Sequence, residues 1–155
     1  NREGRLMRYC VDIDGTILDI SHRVKFVLQD PKDWKSFYSN MDKDRPIEEV
    51  CALLKSLLKD DANQIIFCTG RVEDYREKTI EQINKILKGS KNIDIDSCLY
   101  MRPKGDYRKD FMVKRDLYKR MIVDGFHPVL VFEDKITVVE MWKEMGLKCL
   151  RITGA

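Results

Sequence analysis

Acidic side chains stand directly after two apolar segments of the chain. Asp12 and Asp14 follow the first segment, with Gly15 next, and Glu133-Asp134 follows a later one. In extended backbone Asp12 and Asp14 point to the same side, and Gly15 frees the turn that follows. Adjacent carboxylates repel one another unless a cation joins them, and Mg²⁺ prefers a few protein oxygens completed by water and substrate phosphate. Both pairs are therefore candidate Mg²⁺ ligands.

Other polar residues of the chain could bind a phosphate beside these carboxylates. Thr69-Gly70-Arg71 offers a hydroxyl, a backbone without Cβ and a guanidinium that binds phosphate oxygens bidentately. Lys114 adds a second positive charge. Taken singly, each feature has an ordinary explanation: Glu133-Asp134 could cap a helix, and Lys114 could pair with Asp110 at i, i+4. Together they indicate metal-assisted phosphoryl transfer.

An alternation of strands and helices brings these residues together. Hydrophobic patterning predicts five strands: Arg8 to Ile13, Gln64 to Cys68, Ser97 to Met101, Val129 to Phe132 and Lys148 to Ile152. It predicts helices that begin at Asp30-Pro31 (with Asp30 as N-cap), Pro46, near Tyr75, Asp110 and Lys135. This order is typical of a doubly wound α/β domain, with a parallel five-stranded sheet and helices on both faces. Ligands of such sheets bind at the carboxyl ends of the strands, where the polar groups stand.

Composition limits the class of protein. A length of 155 residues fits one domain, residues 1–155, and 29 basic against 26 acidic residues permit a nucleic-acid partner without requiring one. Five cysteines without a Cys-x-x-Cys pair argue against a disulfide framework and against zinc. No apolar run approaches the roughly 20 residues of a membrane span, and residues 1–5 lack the pattern of a signal peptide. We therefore expect a cytoplasmic location.

The motif Asp-Ile-Asp-Gly-Thr at residues 12–16 resembles the first motif of haloacid-dehalogenase (HAD) superfamily phosphatases. Thr69, Lys114 and Glu133-Asp134 stand where the three later motifs are expected. Arg23, the Thr-Gly-Arg triplet and the basic segment 101–114 further resemble the phosphatase domain of phage-type polynucleotide kinase/3′-phosphatase. The resemblance covers roughly residues 8 to 155. The acidic pair of that family is usually Asp-Asp, and the kinase phosphate loop G-x-x-x-x-G-K-[ST] does not occur in this sequence.

The resemblance implies a role for each residue of the site. Asp12 would be the nucleophile that forms an aspartyl-phosphate, and Asp14 the general acid and base. Thr69 and Lys114 would complete the catalytic group. Mg²⁺ would be held by Asp12, Asp14 and one or both of Glu133 and Asp134. The residues expected to bind substrate are Arg23, Gly70, Arg71, Arg102 and Asp110, the last also holding Lys114. A solvated surface position is the alternative for Arg23.

The substrate is less tightly specified. A 3′-phosphorylated end of DNA or RNA fits the resemblance, while a HAD phosphatase of small molecules such as nucleotides is the alternative. The small cap or loop insertion expected at about residues 18–45 would leave an open mouth, which favours a polymer end. Trp34, Phe37 and Tyr38 at helical spacing more often pack a cap than stack on bases.

A phospho-signalling receiver-like domain is the remote alternative. It is disfavoured because the third predicted strand ends without the carboxylate that would accept the phosphoryl group. The sequence indicates no protein partner.

Overall fold

A parallel sheet carries the two acidic pairs on neighbouring strands. The computed structural model describes residues 6–154, so residues 1–5, on which the signal-peptide expectation rests, and residue 155 lie outside the described part. The strands are β1 (Met7–Val11), β2 (Leu18–Asp19), β3 (Arg45–Pro46), β4 (Asn63–Val72), β5 (Leu99–Arg102), β6 (Pro128–Glu133) and β7 (Cys149–Arg151). Five of them form a parallel sheet of order β5-β4-β1-β6-β7, so the strand that ends at the first acidic pair lies beside the strand that ends at the second.

Helices cover both faces of this sheet. They are α1 (Ser21–Leu28), α2 (Trp34–Ser39), α3 (Glu48–Leu57), α4 (Arg76–Ile86), α5 (Asp110–Val123) and α6 (Ile136–Glu144). Side chains alternate along β1, so Val11 joins the core beneath α3 and α4 whereas Cys10 joins the core beneath α5 and α6. The predicted doubly wound α/β fold is confirmed.

The segment between the first acidic pair and α3 is organised differently from the prediction. Helix α2 begins at Trp34 and not at Pro31, because the carboxylate of Asp33 accepts the Ser36 N–H at 3.0 Å and is the N-cap in place of Asp30. Helix α1 was not predicted, and its buried side chain is the charged Arg23, whereas Leu28 at its end is exposed.

A short ribbon closes this segment. β2 and β3 pair antiparallel, Leu18 with Pro46 and Asp19 with Arg45, so Pro46 ends the ribbon where a helix start was expected. We refer to residues 20–44, which contain α1, α2 and the 3₁₀ turn Met41–Lys43, as the cap segment.

Two further features of the described part bear on the sequence predictions. The predicted strand Ser97 to Met101 starts only at Leu99, and Cys98 ends the 3₁₀ turn Asp96–Cys98 that precedes it. All five cysteines lie within the described residues and are free thiols. Among residues 6–154, no helix has the length and apolarity needed to cross a bilayer.

Burial of α3 against the sheet is expected to contribute strongly to stability. Leu54 is fully buried, while its neighbour Leu53 is 45% exposed. Leu54→Ala should lower the free energy of unfolding by about 2–5 kcal/mol, because it removes apolar contacts and leaves a cavity. Leu53→Ala is the matched control and should change it far less. Urea unfolding measures both, and equal effects would contradict this account of the core.

Candidate active site

The carboxyl ends of β1, β4 and β6 deliver most of the predicted site residues to one place. Asp12 follows β1, Glu133 ends β6 and Asp134 follows it, and one oxygen of each lies within 4.8 Å of the others. Thr69 and Arg71 lie in the last part of β4. These carboxylates meet because parallel neighbouring strands end at the same sheet edge.

Lys114 joins the carboxylates of the two strands. Its side chain enters from α5 and is 4% exposed, and its Nζ donates to Oδ1 of Asp12 at 2.6 Å and to Oε1 of Glu133 at 2.7 Å. Burial alone would lower the pKa of Lys114, but the two carboxylates outweigh it and raise the pKa well above its ordinary value. The ammonium group therefore stays charged and bridges β1 and β6.

Asp12 is buried and held by two donors. Besides Lys114, the hydroxyl of Thr16 donates to its Oδ2 at 2.9 Å, and only 5% of the residue is exposed. Burial and then the negative charge of Glu133 raise the pKa of Asp12 well above its usual range, against the opposing effect of Lys114. The cluster of three carboxylates thus has more negative charge than one ammonium group can balance.

The two members of the second acidic pair differ in their partners. Oε2 of Glu133 accepts the N–H groups of Asp134 and Lys135 at 3.1 and 3.4 Å, while its Oε1 accepts from Lys114 and, at 3.5 Å, from the indole of Trp142. Asp134 instead lies against Gly15. A Cβ at Gly15 would stand 2.0 Å from Oδ2 of Asp134, and its φ of +82° also requires glycine.

This donor set fits Mg²⁺. Carboxylate oxygens of Asp12, Glu133 and Asp134 converge, and the pKa of Asp134, like that of Asp12, is raised chiefly by burial. A divalent cation that prefers oxygen ligands would favour the ionised form of these buried carboxylates and offset their mutual repulsion.

The carboxylate of Asp14 belongs to a second cluster, which is balanced by arginines. Its Oδ1 accepts from Nη2 of Arg71 at 2.7 Å and from Nη2 of Arg23 at 3.2 Å. Both arginines are buried, with 0% of Arg23 and 2% of Arg71 exposed, so the solvated surface position considered for Arg23 is wrong. Burial alone would raise the pKa of Asp14, but Arg71 and then Arg23 outweigh it and lower the pKa.

Asp44 completes this second cluster and was not found in the sequence. Its carboxylate accepts hydrogen bonds from Nε of Arg23 at 2.8 Å and from Nη2 of Arg71 at 3.1 Å, and its side chain is fully buried. His22 contacts the same carboxylate at 2.8 Å. No motif marks Asp44, because its partners Arg23 and Arg71 are 21 and 27 residues away along the chain.

Arg71 is also fixed from the side of α4. Its Nη1 donates to Thr79 at 3.1 Å and to Oε1 of Gln82 at 2.6 Å, and Gln82 donates in turn to the carbonyl of Met41 in the cap segment. The backbone N–H of Arg71 donates to the hydroxyl of Thr69 at 3.0 Å. Thr69 is therefore oriented at the end of β4, next to the guanidinium network.

Arg102 holds the ends of the loop between β5 and α5, residues 103–109, which we call the basic loop. Arg102 donates to the carbonyls of Gly70, Asp106 and Arg108 and to the carboxylate of Asp110. A Cβ at Gly70 would stand 2.6 Å from Oδ1 of Asp110, so glycine permits this approach. Asp110 contacts Arg102 and Lys135, whereas Lys114 donates its hydrogen bonds to other carboxylates. The expected direct contact between Asp110 and Lys114 is therefore wrong, and the two groups interact only through their charges.

Comparison with protein families gives one match over nearly the whole chain. The family of the polynucleotide kinase PNKP phosphatase domain, a HAD family, matches residues 7–155. A bifunctional polynucleotide kinase/RNA ligase of Autographa californica nuclear polyhedrosis virus is 27% identical over 137 residues, which are 88% of this chain and 18% of the viral protein.

Solved structures give similar results. A chain of the Pnkp1/Rnl/Hen1 complex superposes with a TM-score of 0.74 and 29% identity, over 95% of this chain and 45% of that chain. A second structure, of the Pnkp1/Rnl/Hen1 RNA repair complex, gives 0.73 and 26%, over 95% and 42%. The class C acid phosphatase of Bacillus anthracis shares the fold, with a TM-score of 0.60 and 13% identity over 96% and 66%. The chain spans less than half of the two repair-complex chains.

Loss of Asp44 should destabilise the fold. Asp44→Ala would leave Arg23 and Arg71 buried with Asp14 as their one remaining carboxylate in this cluster. Breaking a buried ion pair from one side costs about 3–5 kcal/mol, so we expect a loss of that order in the free energy of unfolding. Asp42→Ala, at an exposed position of the same turn, is the control for chemical denaturation. An Asp44→Ala variant as stable as the control would show that the cluster does not stabilise the protein.

Proposed function

The chain belongs to the HAD family of the polynucleotide kinase PNKP phosphatase domain, and from this we propose that it removes the 3′-terminal phosphate of DNA or RNA, with Mg²⁺ and an aspartyl-phosphate intermediate. The observation that carries the proposal is Asp12, a buried carboxylate at a strand end between Lys114, Thr16 and two further carboxylates. In this arrangement a nucleophile stands where cations can neutralise a phosphate.

Asp12 would act as the nucleophile. One of its carboxylate oxygens attacks phosphorus, the bond between phosphorus and the 3′ oxygen breaks, and the departing oxygen takes a proton from Asp14. Water then attacks the aspartyl-phosphate, Asp14 takes the proton of that water, and phosphate leaves Asp12 unchanged. Lys114 and Thr69 would stabilise the phosphate oxygens, since both lie at the same sheet edge.

The arginine pair around Asp14 would serve the second of these steps. Arg71 and Arg23 keep Asp14 ionised, which is the form that accepts a proton from water. The preceding step needs Asp14 protonated. We propose that the negative charge of the bound phosphate, close to Asp14, raises the pKa of that carboxyl group and so lets it carry the proton. Loss of either arginine should then impair hydrolysis of any phosphomonoester.

Mg²⁺ would be held by Asp12, Asp134 and the backbone carbonyl of Asp14. We favour Asp134 over Glu133 because each oxygen of Glu133 accepts two hydrogen bonds, whereas each oxygen of Asp12 accepts one from Lys114 or Thr16. When bound, the ion would neutralise charge on the phosphate and on the carboxylates. Glu133 would then orient Lys114 and not bind the metal directly.

A nucleic-acid end fits the surroundings better than a small molecule does. The cap segment is a short insertion closed by a two-residue ribbon, and we propose that it acts as a small cap that leaves the mouth open. Arg102 would support the basic loop through its carbonyl contacts, while Lys104 and Lys109 of that loop are exposed. The likeness to chains of an RNA repair complex also suggests that this domain works with other nucleic-acid repair activities.

A substrate panel tests this proposal. It compares 3′-phosphorylated oligonucleotides of DNA and RNA, the same oligonucleotides with a 5′-phosphate, 3′- and 5′-mononucleotides, a sugar phosphate and p-nitrophenyl phosphate. We expect the highest kcat/KM for the 3′-phosphorylated oligonucleotides, because remote contacts help only a substrate that reaches them. A preference for mononucleotides or sugar phosphates would instead support the small-molecule phosphatase.

Asp12→Asn should abolish turnover. The substitution keeps the size of the side chain and removes its nucleophilic charge, so we expect activity at the background level together with a native circular dichroism spectrum. Asp61→Asn, at an exposed loop position, is the control and should retain full activity. Substantial activity of Asp12→Asn would exclude the covalent mechanism.

Mg²⁺ should stabilise the protein against unfolding. A ligand that binds only the folded state at 100 times its Kd adds about 2.7 kcal/mol, which raises Tm by several degrees. Asp134→Asn should lose most of this shift, measured against its own metal-free sample, whereas Asp61→Asn should retain it. If Asp134→Asn responds like the wild type, Asp134 is not a ligand.

A further inference from the structure

Three aromatic rings form a continuous column beside the catalytic cluster. Tyr75 and Tyr38 are stacked, with centroids 4.3 Å apart and planes 9° apart. Trp34 stacks on the same Tyr38 at 6.2 Å and 27°. We call Trp34, Tyr38 and Tyr75 the aromatic column. Its members come from α2 and from the turn after β4, so the column joins the cap segment to the sheet.

The middle ring of the column, Tyr38, lies near the phosphate site. The phenol of Tyr38 lies close to the backbone of Val72, the residue after Arg71, and to the charged groups of Asp14 and Arg71. The adjacent ring of Phe37 lies under the guanidinium of Arg23, 4.3 Å from ring centroid to Cζ. Helix α2 is therefore fixed against the two arginines that hold Asp14.

Packing explains only part of this helix. Phe37 is 8% exposed and fills the space beneath Arg23, as the spacing of the aromatic residues predicts. Trp34 is 51% exposed at the outer end of the column, so a large share of its indole remains in water. A solvated indole stacked on a second ring offers a flat apolar surface whose position is already fixed.

The charges around Trp34 complement a nucleic-acid backbone. The ammonium of Lys32 lies 5.7 Å from the centroid of the Trp34 indole, at the outer limit of a cation–π contact, and Lys35 is exposed on the next position of α2. Such lysines can move from the ring to a phosphate when a base arrives. A flat aromatic surface flanked by lysines is typical of sites that stack single-stranded bases.

We propose that the aromatic column is a stacking platform for a nucleobase of the strand whose 3′-phosphate lies at Asp12, with Trp34 in contact with the base. This inference rests on the proposed function and adds a reason for preferring a polymer. The terminal phosphate would lie beyond Tyr38, and the chain would leave past Trp34 toward Lys32 and Lys35. A small phosphomonoester reaches Asp12 without meeting Trp34.

The kinetic test compares Trp34→Ala with Leu28→Ala, a matched loss of exposed apolar surface within the same cap segment. Base–aromatic stacking corresponds to about 5- to 150-fold in binding, so Trp34→Ala should lower kcat/KM by a factor in this range on a 3′-phosphorylated oligonucleotide. On p-nitrophenyl phosphate it should equal the wild type, which also shows that the variant is folded. Trp34→Phe should recover most of the loss, and Leu28→Ala should behave like the wild type.

Abasic substrates separate stacking from a general loss of affinity. The wild type should lose activity on a 3′-phosphorylated oligonucleotide whose last three nucleotides lack bases, and Trp34→Ala should lose little more. If the wild type prefers the intact oligonucleotide but Trp34→Ala matches it on every substrate, the platform is excluded and the proposed function stands. If the wild type shows no preference for oligonucleotides at all, the proposed function itself fails.

Fluorescence gives a readout that does not depend on turnover. The chain has two tryptophans, and Trp142 is 1% exposed, so a bound oligonucleotide should act mainly on Trp34. In the Asp12→Asn background, a 3′-phosphorylated oligonucleotide should quench the emission, and the added change Trp34→Phe should remove this quenching. Quenching that persists without Trp34, or an oligonucleotide that binds without quenching, would overturn the platform.

Discussion

Like-charged carboxylates at adjacent strand ends must be neutralised by buried cations. Asp12 and Asp14 follow β1, next to Glu133 and Asp134 at the end of β6. The parallel pairing of the two strands keeps these acidic residues close together. Each cation comes from a different element of the fold. Lys114 reaches the cluster from α5, while the two arginines come from α1 and β4. The electrostatic balance at this edge thus depends on the correct packing of the surrounding elements.

The balance of positive and negative charge around Asp14 differs from that around Asp12. Around Asp14, two arginines meet two carboxylates, because Asp44 adds a second negative charge, and this side is nearly neutral and fully hydrogen-bonded. Around Asp12, three carboxylates share the single ammonium of Lys114, and burial, followed by the charge of Glu133, raises the pKa of Asp12. The first side holds the Asp14 carboxylate ionised in the protein without substrate. The second is suited to accepting a divalent cation and to supplying a nucleophile.

The close approach of the site elements depends on two glycines and on the cap segment. Gly15 leaves room for Asp134, and Gly70 leaves room for Asp110, where a Cβ would collide with a carboxylate oxygen in both positions. On the opposite side, Gln82 ties α4 to the cap segment through the carbonyl of Met41, and Phe37 packs under Arg23. The cap segment is thereby connected to the two arginines that hold Asp14, so its position and that of Asp14 depend on the same contacts.

The sequence by itself determined the fold and the strand-end residues, because these depend on local patterns. Apolar runs of short length predict parallel strands, and the residues that follow such strands meet at one edge whatever the details of packing. Asp12, Thr69 and Glu133-Asp134 could be recognised for this reason, as could Lys114 through its family motif. Element boundaries were less accurate. The N-cap of α2 depends on which carboxylate reaches Ser36, and the buried side chain of α1 is the charged Arg23, which an apolar pattern does not mark.

Only the tertiary structure decided how the charges are paired. Asp44 is 21 residues from Arg23 and 27 from Arg71, and no local pattern records a contact over such separations. The same reason explains why Arg23 was considered for the surface and why Asp110 was assigned to Lys114. An ion pair forms between whichever groups the packed helices bring within reach. Its energy depends on burial and distance, and neither is determined until the chain has folded.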